Sequence, residues 1–159
     1  MKITLICVGK LKEKYLAQGV EEYTKRLSRY CSLEVVELPD EKTPDNASAA
    51  VEDMIKRKEG ERILKVLKED SFCIALAIDG TMLSSEELAD KINNLGITGT
   101  SHISFIIGGS LGLSEEVLKK ADYRLSFSKM TFPHQLMRMI LLEQIYRGYR
   151  IINHQPYHK

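Results

Sequence analysis

The stretch HISFIIGGSLGLSEEV, residues 102–117, decides the fold. Its first six residues, HISFII, form an apolar run rich in isoleucine, far too short to span a membrane, and read as a strand buried on both faces. The run passes straight into Gly108, Gly109 and Gly112. Ser114 follows as a helix cap, with Glu115 and Glu116 in the favourable first turn. A doubly buried strand that feeds a helix through a short loop is half of a parallel β-α-β unit.

The same alternation extends in both directions. KITLICV (2–8), LEVVEL (33–38), FCIALAID (72–79) and YRLSFS (123–128) read as strands. Between Lys10 and Tyr30, Leu16, Val20, Tyr23 and Leu27 recur on one helical face. A charged helix is expected over about 46–69, with Val51, Met54, Ile55, Ile63, Val66 and Leu67 inward. Ser84 and Glu87 form a capping box that opens a helix to about Leu95. Pro133 in a first turn opens a last helix of about four turns, ending near Gly148. The pattern predicts an α/β fold, a mostly parallel sheet flanked by helices, in one domain over residues 1–159.

Composition narrows the class. With 43% hydrophobic residues in 159, the chain can bury a core without staples. Cys7, Cys31 and Cys73 are odd in number, widely spaced and free of ligand spacing, as expected of buried thiols in a reducing cytoplasm, and no metal site is expected. The net charge is +1, but it is unevenly spread. Residues 129–159 hold Lys129, Arg138, Arg147, Arg150 and Lys159 against the single acid Glu143, so the C-terminal segment reads as an anion-attracting surface. The last helix is apolar around most of its circumference, which calls for cover from a second subunit.

Three strand ends, after residues 79, 107 and 128, present loops to one crevice, where parallel sheets bind ligands. The glycine loop lets backbone approach a ligand, or it is a plain tight turn. Its spacing meets neither the dinucleotide nor the phosphate-loop fingerprint. Asp79 reads as a crevice carboxylate or as an ordinary Asp-Gly turn, and His134 as a crevice group or, more commonly, a surface residue. The closing NHQPYHK (153–159) is either a loose end or part of a site.

Taken together, IDGTMLSSEELA, FIIGGSLGLSEEV, LSFSKMTFPHQLMRMILLEQIYRGYRI and the final PYHK resemble the large-subunit rRNA methyltransferases of the SPOUT class, and the resemblance runs the length of the chain. It implies a C-terminal trefoil knot, a homodimer packed through it, and S-adenosyl-L-methionine bound in the knot loops. The implied reaction is methylation of N3 of a pseudouridine in a 23S rRNA stem-loop on the assembled ribosome. Position by position, it implies cofactor binding by Leu76, Gly108, Phe127, Ser128, Lys129, Met130, Thr131 and Phe132, with Gly109 and Gly112 in the same loop.

The resemblance leaves the proton transfer to be assigned. His158, with Tyr157, is the candidate base, closing over a pocket that is its own or the partner's. Arg138, Arg147, Arg150 and Lys159 are expected to hold rRNA phosphates or steady the ring's developing charge. His154 falls outside the matching tail and is not expected to be catalytic. The competing class is a non-catalytic, ribosome-associated binding module that retains a cofactor pocket.

Overall fold

A computed structural model describes residues 1–159. The chain runs β1 (Lys2–Val8), α1 (Lys14–Leu27), β2 (Ser32–Leu38), α2 (Ala49–Val66), β3 (Phe72–Met82), α3 (Ser85–Ile97), β4 (His102–Ile107), α4 (Glu115–Lys120), β5 (Tyr123–Ser126) and α5 (His134–Ile152). All five strands join one sheet in the order β2-β1-β4-β3-β5, and every pairing is parallel.

The sheet's centre explains the apolar runs. β4 is buried along its whole length and β1 from Ile3 onward, because helices cover both faces. The period of two divides β1 between them. Ile3, Leu5 and Cys7 pack with α1, α3 and α5, whereas Ile6 and Val8 pack with Ile63 of α2 and Val117 of α4. The caps form where the sequence places them. The Ser84 hydroxyl accepts from the Glu87 amide at 3.1 Å, and the Glu87 carboxylate accepts from the Ser84 amide at 2.8 Å.

The structure corrects three sequence expectations. First, β3 does not stop at Asp79. It leaves the sheet after Leu76 and rejoins at Thr81, both residues facing Leu125 of β5, so that residues 77–80 form an excursion at the strand's C-terminal end. Second, β5 ends at Ser126 and leaves Phe127 and Ser128 to the following loop.

Third, α5 starts at His134 with Pro133 as its cap, and it continues past Gly148 to Ile152. Gly148 does not stop the helix. It brings α5 close to α3, since a Cβ there would lie 3.6 Å from the Cα of Ala89. The helix stops where His154 adopts a left-handed φ of 54° and donates to the Ile151 carbonyl.

Within its own chain α5 buries part of its apolar face. Leu141, Leu142 and Ile145 are wholly buried among α1, α3 and the sheet. Each contributes about 1.5–3 kcal/mol of burial. The large apolar side chains left exposed include Ile78, Met82, Met130 and Phe132, which lie near the ends of β3 and β5.

Candidate active site

The C-terminal ends of β4, β3 and β5 are neighbours in the sheet, and their loops enclose a cavity of about 630 Å³. That volume is within the usual range for a small-molecule pocket, roughly 300–1,000 Å³. Leu76, Ala77 and Ile78 form one wall, and Ile107 to Gly112 a second. Leu125 to Ser128 and Met130 to Pro133 form a third, and His134 and Met137 of α5 close the floor.

Of the eight residues expected to bind cofactor, seven meet here: Leu76, Gly108, Phe127, Ser128, Met130, Thr131 and Phe132. Lys129 lies in the same loop, but its exposed side chain does not line the cavity. His134, for which a surface position was expected, is half-buried and lines the cavity. Burial, followed by the nearby Arg138 charge, pushes its pKa below 6.5 and favours the neutral ring. Asp79 is exposed on the β3 excursion and is not among the lining residues.

The glycine loop needs its glycines. A Cβ on Gly108 would stand 2.9 Å from the backbone carbonyl of Gly112, and Gly112 has a φ of +88°. Gly109 bridges to Gly112, and a Cβ on it would press at 3.1 Å on Glu59. Sequence reading missed Glu59, a buried carboxylate inside the charged helix α2. Its Oε2 accepts from the Glu41 amide at 2.9 Å, and burial raises its pKa. A charge on the inner face of a helix was its one available signal.

The cavity's chemistry is selective. Its 19 lining residues include no Asp, Glu, Lys or Arg. The walls are apolar side chains, backbone, and the hydroxyls of Ser110, Ser126, Ser128 and Thr131. Such a site suits a ligand with a flat heterocycle and an apolar arm. It offers no cationic side chain to a phosphate chain. The backbone, hydroxyls and apolar walls are compatible with an adenine and ribose. No group of three or more His, Cys, Asp or Glu side chains converges to hold a metal.

The C-terminal cations are placed differently from expectation. Arg138 is 1% exposed, so it cannot meet RNA phosphates. It pairs with Glu37, and its Nη2 donates to the Gly9 carbonyl at 3.1 Å. Arg147 donates to Glu143 through Nε and Nη2, at 3.0 and 2.6 Å. Arg150 donates to the Tyr30 hydroxyl and the Pro156 carbonyl, at 3.1 and 2.8 Å. In this conformation the donors of Arg147 and Arg150 hold the tail to the body, and Lys159 is left exposed.

The tail is ordered against α5. The Tyr157 ring meets Tyr146 edge-on at 4.9 Å, and its hydroxyl donates to Glu143 at 3.2 Å. Burial and Glu143 push the Tyr157 phenol up to about 12, out of range for a base near neutrality. Arg147 Nη1 donates to His158 Nδ1 at 3.1 Å, which leaves Nε2–H to donate to Glu86 at 2.7 Å. The ring's basic lone pair is thus occupied. No tail residue lines the cavity. The tail's anchors Glu143 and Arg147 lie six to ten residues beyond Met137, about 9–15 Å along the helix axis.

Comparison with known proteins places this geometry in context. The family model described as "Predicted SPOUT methyltransferase" matches residues 1–158. The chain is 67% identical to the ribosomal RNA large subunit methyltransferase H of Bifidobacterium adolescentis, over the full length of both. It is 65% identical to that of Alkaliphilus oremlandii and 62% to that of Clostridium kluyveri, again over both full lengths. A solved structure described as "a probable methylase family protein" from Haemophilus influenzae superposes with a TM-score of 0.50 at 13% identity. The match covers 96% of this chain and 66% of that one, and it speaks to the fold alone. The chain belongs to the SPOUT methyltransferases and, within them, to the ribosomal RNA large subunit methyltransferase H family.

Proposed function

We propose that the chain is an S-adenosyl-L-methionine-dependent methyltransferase acting in the cytoplasm on N3 of a pseudouridine in a 23S rRNA stem-loop of the assembled ribosome. We further propose that it works as a homodimer and that its C-terminal part is tied in a trefoil knot. One observation carries the reading. The cavity at the ends of β4, β3 and β5 is built from glycine-loop backbone and apolar walls and bears no charged side chain. Full-length relatives at 62–67% identity, named as large-subunit rRNA methyltransferases, support the substrate class.

Leu76, the Gly108–Gly112 loop and the Phe127–Phe132 loop would hold the cofactor, which when bound supplies an electrophilic methyl group on a sulfonium and needs no metal. The chain's own task is to align the ring nitrogen and accept one proton. Fixed geometry supplies most of the acceleration. Acid–base help adds about 10²- to 10⁴-fold.

His158, once its Nδ1 is released from Arg147, takes the N3 proton. The tail stands outside its own chain's cavity, which favours action in the partner's. The exposed rim residues Ile78, Met130 and Phe132 give a second copy an apolar surface to cover beside the pocket. Lys159 meets RNA phosphate at the tail's end.

The test uses ribosomes from a strain lacking this protein, purified enzyme and methyl-labelled cofactor, with label located in rRNA fragments by mass spectrometry. Label on one pseudouridine-bearing fragment of intact ribosomes, absent from free RNA, is the expected result. Cofactor binding without transfer would replace this reading with that of a ribosome-binding module.

A further inference from the structure

The C-terminal arginines are occupied within the chain, so RNA affinity must come from cations that are free. Three stand close in sequence at the end of the turn after β1 and the start of α1: Lys10, Lys12 and Lys14 are all exposed, and none forms an ion pair. Beside them Tyr15 is 66% exposed, presenting an aromatic ring to solvent. Glu13 and, across the turn, Asp40 are the neighbouring acids.

The turn is fixed against the pocket. The Lys12 amide donates to Gln135 Oε1 at 3.1 Å, and the Leu11 amide to Glu37 Oε2 at 3.3 Å. Gly9, with φ of +94°, lets the chain pass the pocket-lining His134, whose Nε2 would lie 3.7 Å from a Cβ at that position. The turn is therefore held, through Lys12, against the same first turn of α5 that forms the cavity floor.

Their placement works against α1. A helix N-terminus favours acids; α1 has one, Glu13, at its cap position, but that side chain makes no capping hydrogen bond, the first turn holds no acid and Lys14 is the first residue. Closely spaced cations interleaved with an exposed aromatic ring suit nucleic acid, where phosphates meet the cations and an unstacked base meets the ring.

We infer that the β1–α1 turn, through Lys10, Lys12, Lys14 and Tyr15, is the surface that docks the rRNA backbone beside the pocket mouth. This rests on the rRNA-methyltransferase reading. The test compares Lys10→Ala/Lys12→Ala/Lys14→Ala with wild type and with a control, Lys58→Ala/Lys65→Ala/Lys68→Ala, whose lysines are exposed on and just beyond α2.

Methyl transfer to ribosomes, co-sedimentation with ribosomes and calorimetric cofactor binding are measured across a salt series. The turn variant should keep its cofactor affinity and kcat. Its KM for ribosomes should rise about tenfold or more, and its log–log salt slope should flatten by about 2. Arginine at the three positions should restore both, and Tyr15→Ala should lower kcat/KM about five- to tenfold. The control should match wild type.

A turn variant with wild-type KM and salt slope overturns the inference while leaving the methyltransferase reading intact. If wild type transfers no methyl group yet the turn variant loses co-sedimentation, the surface stands and the methyltransferase reading fails. If wild type does not bind ribosomes at all, both fall.

Discussion

Replacing Arg138 with Met tests whether this cation serves the fold or the RNA. The side chain is 1% exposed, so Met takes its place with little change in volume. Three effects follow. The Gly9 carbonyl loses its donor, which costs about 1–3 kcal/mol for a buried acceptor left unpaired. Glu37 loses its partner. A fully enclosed pair would cost about 3–5 kcal/mol to break. The Glu37 side chain is 39% exposed, however, and rehydrates, which removes much of that penalty. In the opposite direction, Arg138 Nε has no partner in the fold, and deleting it relieves one unpaired buried donor. The net loss is about 2–3 kcal/mol. With a urea dependence of about 2 kcal/mol/M, the unfolding midpoint should fall by about 1–1.5 M at fixed protein concentration. Arg138→Lys should recover only part of this, because an ammonium cannot span Glu37 and the Gly9 carbonyl as a planar fork does. The salt dependence of ribosome binding should not change. A variant of wild-type stability with a flatter salt slope would refute the reasoning and return Arg138 to the RNA surface.

Three further outcomes are expected. Gly108→Ala places a methyl 2.9 Å from the Gly112 backbone, so the loop must shift; calorimetry should show cofactor affinity down by about tenfold or more, at a stability cost of about 1–3 kcal/mol, and unchanged affinity would argue against the loop's role. Burial lowers the pKa of His134 and of His102 below 6.5, so the unfolded chain binds more protons just below that pH. Stability should therefore be fully present above pH 6.5 and decline as pH falls toward the folded values; chemical denaturation at pH 7.5 and 5.5 checks this, and His134→Gln should shrink the difference. Deleting residues 154–159 should cost about 1–2 kcal/mol through lost tail contacts such as Tyr157 on Tyr146, and leave a folded, cofactor-binding protein without transferase activity; retained methylation of ribosomes would remove the tail from the mechanism.

Burial patterns made the framework readable. HISFII and KITLICV are apolar at successive positions because both faces of β4 and β1 are covered. The caps at Ser84 and Ser114 are local chemistry and form as expected. What escaped the sequence was chain passing close to chain. Gly148 looks like a helix stop, but its missing side chain serves contact with Ala89 across the α3–α5 interface. The excursion at residues 77–80 is set by β5, since Leu125 faces both Leu76 and Thr81. Glu59 is invisible as a site residue until α2 is laid against the glycine loop.

The basic C-terminal segment shows a deeper limit, since counting charges counts cations and not their partners. Arg138 belongs to Glu37, Arg147 to Glu143, and Arg150 to the hydroxyl and carbonyl that fasten the tail. The same contacts hold His158 in a tautomer whose basic nitrogen is engaged by Arg147. If His158 is the base, its Nδ1 must first be released from Arg147, and substrate binding is the available source of that release. Lysines without partners, at the β1–α1 turn, are able to begin that binding with nothing to break. On the proposed reading, RNA is gripped first where cations are free, at the turn and at Lys159, and Arg147, Arg150 and His158 become available only after their contacts with the body have been exchanged for contacts elsewhere.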